Sequence, residues 1–233
     1  MIDENVERIE KLKKVSITDL ETFFDDPRMF YYTKVMKLSY PQSPSAFLGS
    51  TVHTCIENTI AKGWESKDWA VYFMERNIKT NSKVYWDAWN EVKRYVSFPV
   101  ISQEETVQYL TSSGITLRGR IDCVDGLNSV WDWKTGWIEN KKTFQIVFYG
   151  IAKQSISINL ASINDCPKVY HFKIEDSDVE KLNNATLSYS KFLEIISDIP
   201  FEFWKQTFFA NYNYKYCSNK CFFWEDCCGK SKY

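Results

Sequence analysis

A short acidic and basic triplet, Asp132-Trp133-Lys134, stands at the end of a predicted strand. Alternate side chains of a strand share a face, so the Asp132 carboxylate and the Lys134 amine are expected about 7 Å apart. The preceding predicted strand offers Asp122 on its polar face, and an Asp-Gly pair marks the turn between the two strands. If this connection leaves three or five residues unpaired, Asp122 lies directly across from Asp132.

Two carboxylates in that arrangement repel each other unless a cation joins them. Mg²⁺ prefers oxygen ligands and often completes its shell with substrate phosphate, so the pair would suit a divalent metal. Lys134 beside such a metal would orient or deprotonate a water and stabilise charge on a phosphorane. The triplet alone is a weak signal, because an exposed strand with a salt-bridge ladder shows the same pattern.

Further motifs accompany the triplet in a defined order along the chain. Gly49–His53 lies on a predicted helix with Glu57 one turn on, and Gly119–Asp122 follows on a strand. Asp132–Gly136 comes next, and Gln145–Tyr149 lies on a later helix. This order resembles the RecB-like branch of the PD-(D/E)XK nuclease superfamily, and the resemblance covers nearly the whole chain.

The resemblance implies a metal centre. It implies that the ion is Mg²⁺ or Mn²⁺ and that Lys134 is the catalytic lysine. The implied metal ligands are His53, Asp122, Asp132 and the backbone carbonyl of Trp133. Without the surrounding motifs, His53 would be interpreted as an ordinary core or surface histidine.

Other residues are expected to border this centre. Glu104, on the predicted strand before that of Asp122, stands where this branch often carries an additional acidic residue, which implies a catalytic role. Gln145 and Tyr149 are spaced i and i+4 on a helix and therefore share a face. In the family, this pair flanks the active site and helps to place the nucleic acid.

Positive charge and exposed aromatic rings can hold nucleic acid without reading its sequence. Arg118 and Arg120 lie on the polar face of the Asp122 strand and are predicted to bind substrate, although ordinary solvated charge is the alternative for any single cation. No duplex-reading motif is evident, so sequence-specific recognition is not expected. Unpaired bases would stack on aromatic side chains, for which the candidates are Tyr31, Tyr32, Trp133 and Trp137.

The overall charge limits the mode of nucleic-acid binding. Lys and Arg number 29 against 30 Asp and Glu, which gives a formal net charge of −1. A protein coated in positive charge is excluded, so any nucleic-acid contact must come from a local patch. No apolar run approaches the roughly 18 residues of a membrane span, and the charged N-terminus lacks the apolar stretch of a secretion signal. We therefore expect an intracellular, cytoplasmic protein without a membrane partner, and the resemblance implies a prokaryotic or phage-infected cell.

In such a compartment, the seven cysteines are expected to be reduced thiols or metal ligands. Four of them cluster near the C-terminus: Cys217, Cys221, Cys227 and Cys228. This tail resembles that of many RecB-like and CRISPR-adaptation nucleases, in which three such cysteines and a distant N-terminal cysteine hold a four-iron cluster. Here Asp26 occupies the N-terminal position, so a [4Fe-4S] cluster would need Asp26, Cys228 or another thiol as its fourth ligand. A [4Fe-4S] cluster, Zn²⁺ and no metal all stay open.

The elements predicted around these residues make an α/β protein with a small mixed central sheet flanked by helices. Helices dominate the first hundred residues and include an insertion at about 64–98. Strands are predicted at 100–109, 115–124, 128–136 and 168–174, and later helices at 141–157 and 175–197. The resemblance implies a restriction-endonuclease-like core with an N-terminal helical region. The expected domains are a nuclease domain at 1–210 and a cysteine-rich tail at 211–233 that packs on it.

These features predict a metal-dependent DNA nuclease, specifically an exonuclease that acts on single-stranded DNA or duplex ends irrespective of sequence. The resemblance implies service in recombination, repair, phage DNA metabolism or spacer acquisition, with a protein partner in a recombination, replication or CRISPR-adaptation complex. A second hypothesis is a non-catalytic DNA-end or protein-binding module that retains the nuclease fold. A third is a zinc or iron–sulfur interaction module whose functional part is the tail.

Overall fold

The structure is a computed structural model that describes residues 2–39, 41–155 and 157–208. The chain forms two compact units. The first consists of the described residues up to Pro41, of Gln108–Arg118, and of the stretch from Glu180 to Phe208. The second consists of Gln42–Val107 and of Gly119–Val179 without Ile156.

Helices and strands alternate along the second half of the chain, whereas helices dominate the first half. The helices are α1 (Ile2–Leu12), α2 (Ile17–Asp25), α3 (Pro27–Phe30), α4 (Pro44–Lys62), α5 (Ser66–Glu75), α6 (Ser82–Val92), α7 (Phe144–Lys153), α8 (Asp176–Ser197) and α9 (Trp204–Thr207). The strands are β1 (Lys14–Ser16), β2 (Ser102–Leu110), β3 (Thr116–Val124), β4 (Val130–Lys134), β5 (Ile158–Ser162) and β6 (Lys168–Phe172). Among the described residues, none of these helices combines the length and apolarity needed to cross a bilayer.

Side-chain caps define where the N-terminal helices begin. The Ser16 hydroxyl accepts the N–H of Asp19 at 3.1 Å and caps α2. Asp26 accepts the N–H of Met29 at 3.0 Å and caps α3. The residue that replaces the expected N-terminal cysteine therefore has a local structural function.

The N-cap of helix α4, which carries His53, lies two residues before the predicted cap. The sequence suggests Ser45 as the cap, but Ser43 accepts the N–H of Ala46 at 3.2 Å and Pro44 occupies the first turn. Proline suits this position because its missing N–H would have no partner within the helix. The helix ends at Gly63, whose φ of 72° is the left-handed conformation that favours glycine.

The core of the second unit joins the predicted helical insertion to the sheet. Trp69 of α5 and Trp89 of α6 are buried in the same cluster as Trp131 and Trp133 of β4. The rings of Trp131 and Trp133 stack with centroids 5.3 Å apart, and Trp89 meets Trp133 edge-on at 5.5 Å. Aromatic pairs in these arrangements contribute beyond their buried area. This packing holds β4, and with it the Asp132–Lys134 triplet, in place.

The sheet is mixed. β3 pairs antiparallel with β4, β4 parallel with β5, and β5 antiparallel with β6. β2 also pairs with β3, and within the first unit β1 pairs parallel with the start of β3. The predicted α/β fold with a mixed central sheet flanked by helices is confirmed.

Strand β5 is missing from the sequence-based prediction, which passes directly from the helix at 141–157 to the strand at 168–174. All five residues of Ile158–Ser162 are buried, including the polar Asn159 and Ser162. A strand that is buried on both faces shows no alternation of polar and apolar residues, so periodicity cannot reveal it.

Helix α7 lies very close to β3. A Cβ atom at Gly119 would come within 2.7 Å of Phe148 Cε1 and 2.8 Å of Tyr149 Cε1. Only a residue without a side chain allows this approach. The Gln145–Tyr149 segment is thereby held against the strand that carries Asp122.

Candidate active site

The connection between β3 and β4 determines which residues face each other across the strands. Cys123 pairs with Trp131, and the loop Asp125–Ser129 contains five residues. The next step along the register away from the loop places Asp122 opposite Asp132. Both side chains are buried, with 8% and 2% of their surface exposed.

Around Asp122, side chains from α4, β2 and β3 come together. One ligand atom each of His53, Glu104 and Asp122 lies within 4.8 Å of the other two. His53 Nδ1 is 3.3 Å from Asp122 Oδ1, and its Nε2 is 2.9 Å from the carbonyl oxygen of Trp133. Asp122 Oδ2 accepts the N–H of Trp133 at 2.7 Å, which fixes the orientation of this carboxylate. We refer to His53, Glu104 and Asp122 as the acidic cluster.

The donors of the acidic cluster fit a divalent cation. An imidazole nitrogen, two carboxylates and a nearby backbone carbonyl form a set that suits Mg²⁺ or Mn²⁺. Burial raises the pKa of Glu104, and the charge of Asp122 raises it further against the opposing effect of Arg120. Burial alone would lower the pKa of His53, but the hydrogen bond with Asp122 and the charges of Asp122 and Asp132 outweigh it and raise this pKa. The raised pKa values of Glu104 and His53 show that both groups hold a proton more strongly in this site, because negative charge is concentrated there. A bound divalent cation would neutralise that charge.

The backbone of Glu104 is unusual for a residue in a strand. Its φ is 51°, a left-handed conformation that costs a non-glycine residue roughly 1–2 kcal/mol. The strained backbone directs the carboxylate to Asp122 and His53, and Oε2 lies 2.7 Å from Nε of Arg120. The neighbouring Glu105 instead pairs with Lys153 at 2.8 Å. The fold therefore selects one of two adjacent glutamates for the acidic cluster.

Asp132 and Lys134 begin a chain of polar contacts that ends on α7 and β3. Lys134 Nζ lies 2.7 Å from Asp132 Oδ2 and donates to Gln145 Oε1 at 3.2 Å. Gln145 Nε2 donates to the Tyr149 hydroxyl at 3.0 Å, and that hydroxyl donates to the carbonyl of Arg120 at 2.7 Å. Burial raises the pKa of Asp132, whereas the charge of Lys134 opposes this rise. The amine of Lys134 is thus oriented from two sides.

A cavity of about 760 Å³ opens over these groups. It is lined by His53, Glu104 and Lys134 together with Arg120 and Glu57. Its chemistry is acidic at the cluster and basic at Arg120 and Lys134. A phosphodiester bound in such a cavity would meet cationic side chains around a donor set that fits a metal ion.

Residues 14–228 match the PD-(D/E)XK nuclease superfamily. The chain belongs to this superfamily. Its members are nucleases that use divalent metals, and together with the His, Glu and Asp donors of the acidic cluster this supports a metal-dependent nuclease. No curated protein matches the chain.

Two solved structures resemble this PD-(D/E)XK chain. One is a candidate exonuclease from Eubacterium rectale, which shares 9% sequence identity with this chain and superimposes with a TM-score of 0.51. The match covers 82% of this chain and 84% of that one. At this identity the likeness shows the fold alone. The other, SSO0001, has 12% identity and a TM-score of 0.39, and the match covers 84% of this chain and 92% of that one.

The structure of this PD-(D/E)XK protein groups the predicted site residues differently from the sequence. The compact set of metal-ligating atoms contains Glu104, whereas Asp132 lies opposite Asp122 and is paired with Lys134. Arg120 lines the cavity. Arg118 belongs to the first unit, where its Nη2 donates to the carbonyl of Lys14 at 3.2 Å.

Three of the four aromatic residues predicted to stack on bases are buried and therefore cannot do so. Tyr31, Tyr32 and Trp133 are 6%, 4% and 2% exposed, so their rings have no free face for a nucleobase. Trp137 is 77% exposed. The predicted cluster ligands Cys217, Cys221, Cys227 and Cys228 lie outside the described residues.

Two residues near the site were not among the predicted site residues. Glu57 lines the cavity one turn after His53, and its charge contributes to the raised pKa of Glu104. Its spacing of four residues from His53 was the available signal. Asp125 is a buried carboxylate in the β3–β4 connection, where the Asp-Gly pair indicated only a turn.

Proposed function

We propose that the protein is a Mg²⁺- or Mn²⁺-dependent deoxyribonuclease of the RecB-like branch, an exonuclease that acts on single-stranded DNA or duplex ends without sequence specificity. The observation that carries the proposal is that His53 and Glu104 line the same cavity as Lys134, and that Asp122 lies within 4.8 Å of both His53 and Glu104. A hard-metal donor set and an oriented amine are what phosphodiester hydrolysis requires. The (D/E)XK signature of the superfamily corresponds in this sequence to Asp132-Trp133-Lys134.

In the proposed site, His53, Glu104, Asp122 and the carbonyl of Trp133 would hold the cation, and Asp132 keeps its proposed role as a further ligand. A divalent cation bound there would polarise a phosphoryl oxygen and lower the pKa of a bound water.

Lys134 holds its ammonium group where negative charge develops on the phosphoryl oxygens, and Gln145 orients it through a 3.2 Å hydrogen bond. Tyr149 fixes Gln145 in turn, since its hydroxyl accepts from Gln145 Nε2 at 3.0 Å. Arg120, whose side chain is 66% exposed at the cavity, would bind a flanking phosphate. These residues orient the scissile phosphodiester and balance its charge.

The wider setting of the proposed activity is an intracellular one. An exonuclease of this type would serve recombination, repair or phage DNA metabolism together with a protein partner. The C-terminal cysteines are proposed ligands of a [4Fe-4S] cluster or of Zn²⁺, and iron and zinc analysis of anaerobically purified protein tests that proposal.

A digestion experiment tests the proposed function. Single-stranded and duplex DNA, labelled at either end, would be incubated with the protein and Mg²⁺, Mn²⁺ or EDTA. We expect cleavage with either metal, none with EDTA, and a loss of about 10²-fold or more in Asp122→Asn, which keeps the shape of the carboxylate but not its charge. Release of mononucleotides or short products from one end would identify an exonuclease.

Two results would reject parts of this proposal. Binding of DNA ends without cleavage under any metal would favour a non-catalytic module that retains the nuclease fold. Cleavage that persists unchanged in EDTA would contradict the role assigned to the acidic cluster.

Adjacent glutamates allow a matched test of the metal ligands. We expect Glu104→Gln to weaken Mn²⁺ binding by about tenfold or more, because it removes one anionic ligand from the acidic cluster. Glu105→Gln alters the pairing with Lys153 and the hydrogen bond from the Ser102 hydroxyl, neither of which involves the acidic cluster, and is expected to bind Mn²⁺ like the wild type. Titration calorimetry with Mn²⁺ measures both variants without reference to activity. Equal affinities for the two variants would exclude Glu104 as a ligand.

A further inference from the structure

Trp137 is an exposed tryptophan at the mouth of the site cavity. It lies in the connection between β4 and α7, lines the cavity, and has 77% of its surface exposed. In contrast, Trp69, Trp89, Trp131 and Trp133 are at most 2% exposed. The position of Trp137 three residues after Lys134 places an accessible aromatic ring next to the proposed chemistry.

The backbone on both sides of Trp137 is held in place. The carbonyl of Gly136 accepts a hydrogen bond from Asn164 Nδ2 at 3.0 Å, and Ile138 is buried with 6% of its surface exposed. Lys134, at the start of the connection, accepts the N–H of Ile163 on its carbonyl at 2.7 Å. Because these contacts anchor the connection, the indole is presented outward rather than folded against the sheet.

One side of the indole is occupied by a cation. Lys168 Nζ lies 4.5 Å from the ring centroid, within the range of a cation–π contact. The large exposed fraction leaves the remaining surface of the ring open to a planar ligand. An aromatic ring with an ammonium group beside it suits a nucleotide ligand, because the ring can stack on the base while the cation attracts the phosphate.

We propose that Trp137 and Lys168 form a subsite for an unpaired nucleobase of a strand whose backbone lies in the site cavity. This inference rests on the proposed function and narrows its substrate to a single-stranded segment. A base inside a duplex has both faces covered by its neighbours, so it must leave the stack before a side chain can stack on it. Stacking on one indole does not distinguish among bases, which agrees with a nuclease that ignores sequence.

Binding to intact and abasic strands tests the subsite. Fluorescence anisotropy would measure the affinity of the wild type, Trp137→Ala and Trp137→Phe for a short DNA strand and for a matched strand with abasic sugars. Ca²⁺ would supply the cation, and a denaturing gel would verify that the strands stay intact. Met74→Ala is the control, because Met74 is 68% exposed in the same unit and does not line the cavity.

We expect Trp137→Ala to weaken binding of the intact strand by about 5- to 100-fold, whereas Trp137→Phe regains most of the affinity. The abasic strand should bind the wild type more weakly and should not respond to Trp137→Ala, because no base is present to stack. Met74→Ala should match the wild type on both strands.

Equal losses on the intact and abasic strands would overturn the inference, since they would show an effect other than stacking. If Trp137→Ala does not weaken binding of either strand, the inference is also overturned, and contact with a protein partner would be the alternative role for Trp137. These results are distinct from failure of the proposed function. If the proposed function fails, the wild type does not cleave DNA, whereas failure of the subsite alone leaves wild-type cleavage intact.

Discussion

Replacing Lys134 with alanine is expected to lower the rate of DNA cleavage by about 10²- to 10⁴-fold without unfolding the protein. The ammonium group lies 2.7 Å from Asp132 Oδ2 and donates to Gln145, so the fold holds its charge at one point of the cavity. The side chain is 40% exposed, which makes its removal tolerable for the core. Single-turnover cleavage of an end-labelled strand, with circular dichroism as a check on folding, measures the effect.

Two further variants make the Lys134 result specific. Lys134→Arg keeps the charge but replaces a compact ammonium with a wide planar group, so we expect this variant to retain little of the wild-type activity. Lys83→Ala removes a lysine whose exposed side chain pairs with Asp87 on α6, and its cleavage rate should equal that of the wild type. Wild-type cleavage in Lys134→Ala would refute the proposed mechanism, whereas full activity in Lys134→Arg would show that only the charge matters.

How far the sequence predicts this fold depends on how each element is buried. Thr116–Val124 shows a period of two because its apolar residues face the core, and the predicted strand coincides with β3 within a residue. Ile158–Ser162 is buried throughout and contains the polar Asn159, so the same criterion fails for β5. The cap of α4 shows a third case, in which two serines flank Pro44 and only local geometry decides between them.

The sequence likewise predicts some features of the candidate site and not others. The spacing of Asp122 and Asp132 indicates that they oppose each other, provided that the connection has a suitable length, and the loop Asp125–Ser129 has five residues. Which carboxylate joins His53 depends on a left-handed backbone at Glu104 and on the ion pair of Asp132 with Lys134. Neither feature leaves a periodic signal in the sequence. The roles assigned to these residues stay predictions until the variants are measured.

The loop that sets this register depends on one buried carboxylate. Asp125 is 2% exposed, and its Oδ1 accepts the N–H groups of Leu127 and Ser129, each at 3.0 Å. Its Oδ2 accepts the N–H of Ser97 at 3.2 Å and Nε1 of Trp131 at 2.9 Å. One side chain thus satisfies four donors that hold the β3–β4 loop and a core tryptophan.

We expect Asp125→Ala to lower the free energy of unfolding by about 3–5 kcal/mol, because it leaves several buried donors without acceptors. Asp125→Asn retains one carbonyl oxygen but turns an amide toward N–H donors, so an intermediate loss of about 2 kcal/mol is expected. Asp165→Ala, in the exposed connection between β5 and β6, should change stability by less than about 0.5 kcal/mol. Urea denaturation followed by tryptophan fluorescence measures all three. A loss below about 1 kcal/mol in Asp125→Ala would mean that water replaces the carboxylate, and that the register opposing Asp122 to Asp132 is set by strand pairing alone.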